Sequence, residues 1–241
     1  MKLLTLQKLH KWVALFVGIQ LFLWTLSGLV FTVLDQKSVS GELLAAAPPM
    51  PTLTTEVTLT DPSAWMGAYA DRIVREVSLR PLDGRWVYRI VHEDGIELRQ
   101  AGDGAPVVID ASRARRLALD HYRGGGKLVS VTHLSKPTLE TRQAGATWQA
   151  TFDDPARTRL YFSADDGTMV AARSDTWRVF DFFWMLHTMD YAGRDDFNNP
   201  LVILVCSAAL WIGLTGVLLL LRVFRWKDSP FGQVDADAEI T

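Results

Sequence analysis

Residues 12–34 have the sequence WVALFVGIQLFLWTLSGLVFTVL, a run of 23 residues without a charged side chain. An α-helix rises about 1.5 Å per residue, so this run would extend roughly 34 Å and cross the hydrocarbon core of a bilayer. A second uncharged run, LVILVCSAALWIGLTGVLLLL at residues 201–221, would extend about 32 Å. We therefore predict transmembrane helices at residues 12–34 and 200–221, with Asn199-Pro200 opening the second.

Outside these two runs the composition is that of a globular protein. The chain of 241 residues is 49% hydrophobic and 22% charged, with a formal net charge of −2. This balance excludes disordered and collagen-like classes, and the absence of a basic run argues against a nucleic-acid partner. Cys206 is the only cysteine, so the chain can form neither an intrachain disulfide nor a cysteine-based zinc site.

Basic side chains flank the two apolar runs on the sides that face the chain ends. They are Lys2, Lys8 and Lys11 before the first run, and Arg222, Arg225 and Lys227 after the second. Because basic flanks favour the cytoplasm, we expect a cytoplasmic flank at 1–11, a cytoplasmic tail at 222–241 and a periplasmic domain at 35–200 of a bacterial inner membrane. The first apolar run exceeds the roughly 7–15 residues of a signal-peptide core, which favours a signal anchor over cleavage near Ala45-Ala46-Ala47.

One pattern of elements occurs twice between the apolar runs. Asp61 and Asp110 are suited to cap helices, and the Asp-Gly pairs at 103–104 and 166–167 predict hairpin turns between short strands. The expected helices cover 61–74 and 110–122; the expected strands cover 77–82, 86–90, 95–99 and 107–110 in the first copy, and 129–134, 148–152, 158–162 and 169–173 in the second.

The sequence therefore predicts an α+β region inserted between two transmembrane helices. This region consists of two tandem units, each a helix plus an antiparallel sheet, at 61–110 and 110–175. A linker rich in Ala, Pro and Thr covers 35–60. Residues 176–199 are predicted to form an aromatic helix, from Thr176 to about Tyr191, and a loop at the membrane interface.

Several short motifs resemble the PepSY-associated transmembrane family. They are Leu9-His10-Lys11-Trp12 and Leu26-Ser27-Gly28 around the first apolar run, and Asp181, Leu186-His187-Thr188, Gly193-Arg194 and Leu214-Thr215-Gly216 around the second. The repeated units resemble PepSY domains, with Asp165-Asp166-Gly167-Thr168-Met169-Val170-Ala171 as the last hairpin. The resemblance covers most of the chain, which would be a minimal member with two membrane helices. It implies an envelope protein whose relatives include haem-carrying proteins of iron and siderophore handling, and protease-modulating PepSY domains.

Two of the five histidines lie at the edges of the predicted membrane helices. Neutral imidazole is the commonest axial ligand of b-type haem, so His187 and His10 are candidate haem ligands, a role that rests mainly on the family resemblance. The two positions lie at opposite ends of the hydrocarbon core, so one haem cannot bridge them within one chain. A homodimer with its twofold axis along the membrane normal, or a partner membrane subunit, would supply the missing ligands and helices.

Small and polar residues inside the membrane helices are candidates for helix packing. They are Gly18, Gln20, Ser27, Gly28, Gly213, Thr215 and Gly216. Small residues allow helices to approach closely, and Gln20 is a candidate for an interhelical hydrogen bond.

We predict an inner-membrane PepSY protein whose periplasmic domain is a binding or regulatory module with a periplasmic protein partner. Two alternatives stay open: a haem b subunit of transmembrane electron transfer for periplasmic iron or siderophore reduction, and a modulator of a periplasmic or membrane protease. The sequence contains no G-x-S-x-G, H-E-x-x-H or C-x-x-C motif, so no catalytic residue or metal site is assigned.

Overall fold

The computed structural model describes residues 3–50, 52, 58–142 and 144–223. Lys2, Arg225 and Lys227, three of the residues behind the predicted orientation, lie outside the described residues. The chain divides into two compact units. We call the described parts of Met1–Leu29 and Trp184–Thr241 the helical unit, and those of Val30–Phe183 the sheet unit.

Six α-helices are found in the described chain. They are α1 (Leu3–Val33), α2 (Gln36–Ser40), α3 (Ser63–Met66), α4 (Ala111–His121), α5 (Asp175–Thr188) and α6 (Pro200–Val223), and a 3-10 turn at Gly67–Tyr69 continues α3. Two of these helices are long and apolar enough to cross a membrane, over Gln7–Val33 and Pro200–Leu221. The prediction of two candidate membrane helices that flank the sheet region is confirmed.

Within the residues that the structure describes, eight strands form two antiparallel sheets, and each sheet keeps its strands in chain order. The first sheet contains β1 (Val74–Leu82), β2 (Arg85–His92), β3 (Gly95–Gln100) and β4 (Pro106–Val107); the second contains β5 (Leu128–Leu134), β6 (Thr147–Phe152), β7 (Arg159–Ser163) and β8 (Met169–Arg173). The predicted α+β class and the two four-stranded sheets are confirmed.

Two predicted helices are longer than the observed ones. The first was expected to reach residue 74, but α3 and its 3-10 turn end at Tyr69, and Val74 pairs with His92 at the start of β1. The aromatic helix was expected to reach about Tyr191, but α5 ends at Thr188. Met189 has a left-handed φ of 56°, which a helix cannot continue through.

The last strand of the first sheet is also shorter than expected, at Pro106–Val107 instead of residues 107–110. Asp110 explains the difference, because its carboxylate accepts a hydrogen bond from the backbone N–H of Arg113 at 2.8 Å. This bond caps α4, as the sequence predicted. Residue 110 therefore lies at the start of the helix and does not extend β4.

The two sheets and α4 share one hydrophobic core. Its most deeply buried members come from all three elements: Val87 and Leu98 from the first sheet, Leu117 and Ala118 from α4, and Phe152, Leu160 and Phe162 from the second sheet. Burying one such Leu or Phe contributes about 1.5–3 kcal/mol, so this core couples the two repeats energetically. The other face of the first sheet packs against Trp65 and Tyr69 of the α3 region.

A buried carboxylate ties the last turn of the second repeat to the first sheet. Asp166, in the β7–β8 turn, accepts a hydrogen bond from Arg89 Nε at 3.0 Å through its carboxylate and one from Arg80 Nη2 through its backbone carbonyl. Arg80 Nη1 also donates to Thr168 Oγ1 at 2.7 Å. Burial alone would raise the pKa of Asp166, but hydrogen bonds from Thr168 and Arg89 and the charge of Arg80 hold it below the ordinary 3.8.

Candidate functional site

In the helical unit, side chains of α1 bind the last carbonyl groups of α5. The final turn of a helix leaves its carbonyl oxygens without intrahelical partners. Gln20 Nε2 donates to the Leu186 carbonyl at 3.0 Å, and Trp24 Nε1 donates to the His187 carbonyl at 2.7 Å. These two bonds fix the backbone that carries His187.

Asn199 connects the end of α5 to the start of α6. Its Nδ2 donates to the Thr188 carbonyl at 2.9 Å, while its Oδ1 accepts from the Val202 N–H at 3.0 Å. Asn199 is thus the N-cap of α6 that the sequence predicted. In the loop between the helices, backbone N–H groups of Asp196 and its neighbours bind the Asp190 carboxylate and lower its pKa to about 2.

His187 lies against a buried hydroxyl of α1. Its Nδ1 is 2.8 Å from Ser27 Oγ. Ser27 is completely buried, and its Oγ also lies 2.8 Å from the Leu23 carbonyl and 3.0 Å from the Trp24 carbonyl. The imidazole therefore has a fixed neighbour on one ring nitrogen, supplied by the opposite helix.

His10 has an equivalent neighbour on α6. Its Nδ1 is 2.8 Å from Thr215 Oγ1, and Thr215 is buried. The Thr215 hydroxyl also lies 2.8 Å from the Trp211 carbonyl, and a Cβ placed on Gly216 would lie 3.5 Å from His10 Cε1. That distance is an ordinary van der Waals contact, so the imidazole of His10 lies close to Gly216.

Helix α1 supplies the histidine of one histidine–hydroxyl pair and the hydroxyl of the other. His10 of α1 contacts Thr215 of α6, whereas His187 of α5 contacts Ser27 of α1. Positions 10 and 27 of α1 are about 25 Å apart at 1.5 Å per residue, so the two pairs are well separated along this helix. The structure consequently brings His187 together with Ser27 and His10 together with Thr215, but not the two histidines with each other.

A cavity of about 560 Å³ opens beside His187. Its lining is Trp24, Trp184, His187, Thr188, Phe197, Val202 and Cys206. Trp184 is held in place by a 3.0 Å hydrogen bond to the Arg194 carbonyl and by edge-on contact with Phe197. The walls are mainly aromatic and apolar, and His187 and Cys206 are the lining residues whose side chains can bind a metal.

The glycines expected to pack the helices behave differently from the hydroxyls. A Cβ placed on Gly18, Gly28 or Gly213 would meet no atom of the described chain within 4 Å. Within the described chain, no other segment therefore packs closely against these three glycines. Gln20, a candidate for an interhelical hydrogen bond, donates its Nε2 hydrogen to the Leu186 carbonyl of α5.

Trp24, Cys206 and the hydrogen bond from Asn199 Nδ2 to the Thr188 carbonyl were not predicted from the sequence as parts of this site. The indole N–H of a Trp in an apolar segment needs a hydrogen-bond acceptor. This requirement is the signal in the sequence from which a polar partner of Trp24 could have been predicted. Ser27 and Thr215 were assigned to packing, and their contacts with the histidines were not anticipated. Neither residue's local sequence carries a signal for a partner more than a hundred residues away.

The other three histidines belong to the sheet unit. His92 is buried and its Nδ1 accepts from the Asp94 N–H at 3.2 Å, while the His121 Nδ1 is 2.8 Å from the Leu117 carbonyl. The ring of His133 lies edge-on to Trp148 at 5.0 Å. Within residues 3–50, 52, 58–142 and 144–223, three or more His, Cys, Asp or Glu side chains nowhere group as a metal site.

A second cavity, of about 510 Å³, lies within the sheet unit. Its lining comes from Ala47–Met50, the end of β1 with the following turn, the C-terminal half of α4, and the turn before β8. Both repeats therefore contribute to this cavity, and Leu82, Leu117 and Met169 give it an apolar surface.

Comparison with known proteins supports the resemblance noted from the motifs. Residues 7–238 match the family model described as the PepSY-associated TM region. The chain matches no curated protein and no solved structure. Because the family model covers nearly the whole sequence, and two helices are suited to span a bilayer, the chain belongs to the PepSY-associated transmembrane family and is a membrane protein.

Proposed function

We propose that the protein binds b-type haem through His187 and His10 and serves transmembrane electron transfer. The observation that carries this proposal is the pair of histidines, each held through Nδ1 by a buried hydroxyl of the opposite helix. Histidine is a usual axial ligand of haem iron, and an outer-shell hydrogen bond to its second ring nitrogen is typical of metal-binding histidines.

The cavity beside His187 fits such a group. Its volume of about 560 Å³ falls within the usual range of ligand sites, and aromatic and apolar walls suit the body of a porphyrin. His187 would be the axial ligand, and Trp24, Phe197 and Val202 would line the macrocycle. When bound, haem would supply one-electron redox chemistry. The protein would exclude water from the haem and hold the axial histidine in position.

One chain supplies a single histidine at each end of the span, so each site needs a second ligand. A second copy of the chain, related by a twofold axis along the membrane normal, would bring each histidine to its symmetry mate. The four helices of such a dimer resemble the bundles that hold cofactors between helices. A partner membrane subunit that supplies its own histidines is the other arrangement consistent with these sites.

The orientation proposed with this function places both termini in the cytoplasm and residues 35–200 in the periplasm. Lys8 and Lys11, at the start of α1, support it through the preference of basic flanks for the cytoplasm. We further propose that 61–110 and 110–175 are PepSY units after a linker at 35–60, and that 176–199 lies at the interface. Electrons would come from a protein or quinone and reduce periplasmic ferric iron or siderophore complexes.

The test is the visible spectrum of the full-length protein, purified in mild detergent from haem-supplied cells, before and after dithionite. We expect a b-type spectrum that sharpens on reduction. His187→Ala and His10→Ala should each remove about half of the bound haem, because each removes the ligand of one site. His133→Ala, at an exposed strand position, is the matched control and should retain full haem content. A colourless wild-type protein would disprove the proposal.

The cavity in the sheet unit favours a second candidate function, a binding module for a periplasmic protein or peptide. Met50 is 74% exposed and lines this cavity, so an apolar segment of a partner would cover it. A photo-crosslinking residue in place of Met50 should capture the partner in cells, whereas one in place of Leu139, which is exposed outside the cavity lining, should not. Equal capture from both positions would count against a site in the cavity.

A further inference from the structure

The protons of two buried hydroxyls are directed to backbone carbonyls. Ser27 Oγ lies 2.8 Å from the Leu23 carbonyl, and Thr215 Oγ1 lies 2.8 Å from the Trp211 carbonyl. A carbonyl oxygen only accepts hydrogen bonds, so each hydroxyl must donate in this contact. A hydroxyl has one proton, and its oxygen then has only lone pairs to offer to any other neighbour.

That other neighbour is in both cases Nδ1 of a histidine, at 2.8 Å. At this distance an unprotonated Nδ1 would place its lone pair against those of the hydroxyl oxygen, in an environment where Ser27 is 0% and Thr215 is 5% exposed. Two buried acceptors that face each other without a proton are costly. The contact is favourable only if Nδ1 carries the proton and donates it to the hydroxyl.

We infer that Ser27 and Thr215 are positioning residues that hold His187 and His10 in the Nδ1–H tautomer, with the lone pair on Nε2. The two pairs assign the same tautomer independently, although their histidines belong to different helices and the pairs are well separated along α1. The identity of the ligand, a metal centre bound through Nε2, rests on the proposed haem function; the tautomer itself does not.

The hydroxyls have two effects on a metal bound at Nε2. They set the rotation of each ring about its Cβ–Cγ bond, and they prevent the competing tautomer, in which Nε2 carries a proton and cannot bind a metal. Loss of an outer-shell partner of this kind commonly lowers metal affinity 10–100-fold. We expect losses in this range, about 10–100-fold in haem affinity, at the site whose hydroxyl is removed.

The chain offers matched controls for both hydroxyls. Thr25 Oγ1 on α1 donates to the Leu21 carbonyl at 2.9 Å, and Ser207 Oγ on α6 donates to the Ile203 carbonyl at 2.8 Å. Both residues are exposed and lie outside the two histidine pairs. Thr25→Ala and Ser207→Ala therefore remove the same kind of helix-internal bond without touching a ring nitrogen.

The first measurement uses full-length, ¹⁵N-histidine-labelled protein from haem-depleted cells, in detergent. The ¹⁵N spectrum of a neutral imidazole shows which ring nitrogen is protonated, and His187→Gln and His10→Gln identify the two signals. We expect Nδ1–H for both rings. Ser27→Ala should alter only the His187 signal and Thr215→Ala only the His10 signal, while Ser27→Thr and Thr215→Ser should preserve the wild-type tautomers. An Nε2–H signal in the wild type, or unchanged signals in both alanine variants, would overturn the inference.

The second measurement is haem titration of the same variants, with circular dichroism to verify their helix content. Ser27→Ala and Thr215→Ala should each weaken one site, and Thr25→Ala and Ser207→Ala should weaken neither. If His187→Ala abolishes a site that Ser27→Ala leaves at full affinity, the positioning role is wrong and the haem function stands. If the tautomers follow the hydroxyls but no histidine variant loses haem, the haem function is wrong and the positioning role stands.

Discussion

Gly167 combines a left-handed backbone conformation, which favours glycine, with close side-chain neighbours. Its φ is 71°, and an added Cβ would lie 2.9 Å from Leu117 Cδ1 and 3.1 Å from Leu82 Cδ1 in the shared core. Gly167→Ala combines left-handed strain of about 1–2 kcal/mol with overpacking of about 1–3 kcal/mol. We expect a loss of about 2–5 kcal/mol in the free energy of unfolding, measured by denaturant unfolding of the full-length protein in detergent.

Gly84 is the matched control for this substitution. Its φ is 72°, almost the same as that of Gly167, but a Cβ placed there would meet no atom of the described chain within 4 Å. Gly84→Ala should therefore cost only the backbone strain, about 1–2 kcal/mol. Equal losses for the two variants would show that contact with Leu117 and Leu82 has no part in the effect.

At the scale of single residues, the sequence predicted roles that depend on near neighbours. Asp110 was correctly assigned as a helix cap, and the Asp166-Gly167 pair as a turn, because both roles are set within three residues along the chain. Ser27 was assigned to helix packing, because small residues allow helices to approach closely. Its contact with His187 depends on the fold and could not be read from residues 23–31.

At the scale of elements, Asp166 holds the β7–β8 turn against β1 and β2. Its side chain is 6% exposed and forms ion pairs with Arg80 and Arg89. Removal of one partner of a buried ion pair leaves the other charge uncompensated and commonly costs about 3–5 kcal/mol. We expect Asp166→Ala to lower the free energy of unfolding at neutral pH by about 3 kcal/mol, as measured by denaturant unfolding.

The same carboxylate predicts a dependence of stability on pH. The pKa of Asp166 is lower in the folded protein than the ordinary 3.8. The contribution of this carboxylate to the free energy of unfolding is therefore complete above the ordinary pKa and is lost as pH falls toward the pKa of the folded protein. Between about pH 5 and pH 3, the wild type should therefore lose more stability than Asp166→Asn. Asp165→Asn, an exposed change in the same turn, should follow the wild-type curve. If Asp166→Asn also follows it, the carboxylate does not contribute in this pH range.

The elements that were predicted well are those whose boundaries have strong local signals. The hairpin strands follow alternating apolar residues and Asp-Gly turns, and α4 begins at its Asp cap. The α3 region was predicted too long because its apolar spacing fits a helix, whereas pairing of Val74 with His92 takes that residue into β1. Long-range pairing thus decided the boundary where local preference was ambiguous.

At the scale of the whole molecule, the apolar runs predicted both candidate membrane helices, because their length and hydropathy suit a bilayer span. The two histidine–hydroxyl pairs were not predicted, because they require α1 to meet α5 and α6 in a particular register. Each pair joins one residue near the N-terminal side of the chain to one beyond residue 186. Hydropathy places segments in the membrane but does not specify which side chains face each other.

The proposed orientation of the whole molecule gives a final prediction, on the accessibility of single cysteines. Lys8 and Lys11 favour a cytoplasmic start of α1, which would place the sheet unit in the periplasm. Cys206 is the only native cysteine, so Cys206→Ser provides a background for Thr5→Cys, in the first turn of α1, and Asp94→Cys, in the exposed β2–β3 turn.

In cells with a permeabilised outer membrane, a membrane-impermeant maleimide should label Asp94→Cys at once, because position 94 would face the periplasm. Thr5→Cys should be labelled only after the inner membrane is also opened, and the Cys206→Ser background should stay unlabelled. The reverse pattern would place the sheet unit in the cytoplasm. It would also reverse the proposed direction of electron transfer, since His187 would then lie at the cytoplasmic end and His10 at the periplasmic end.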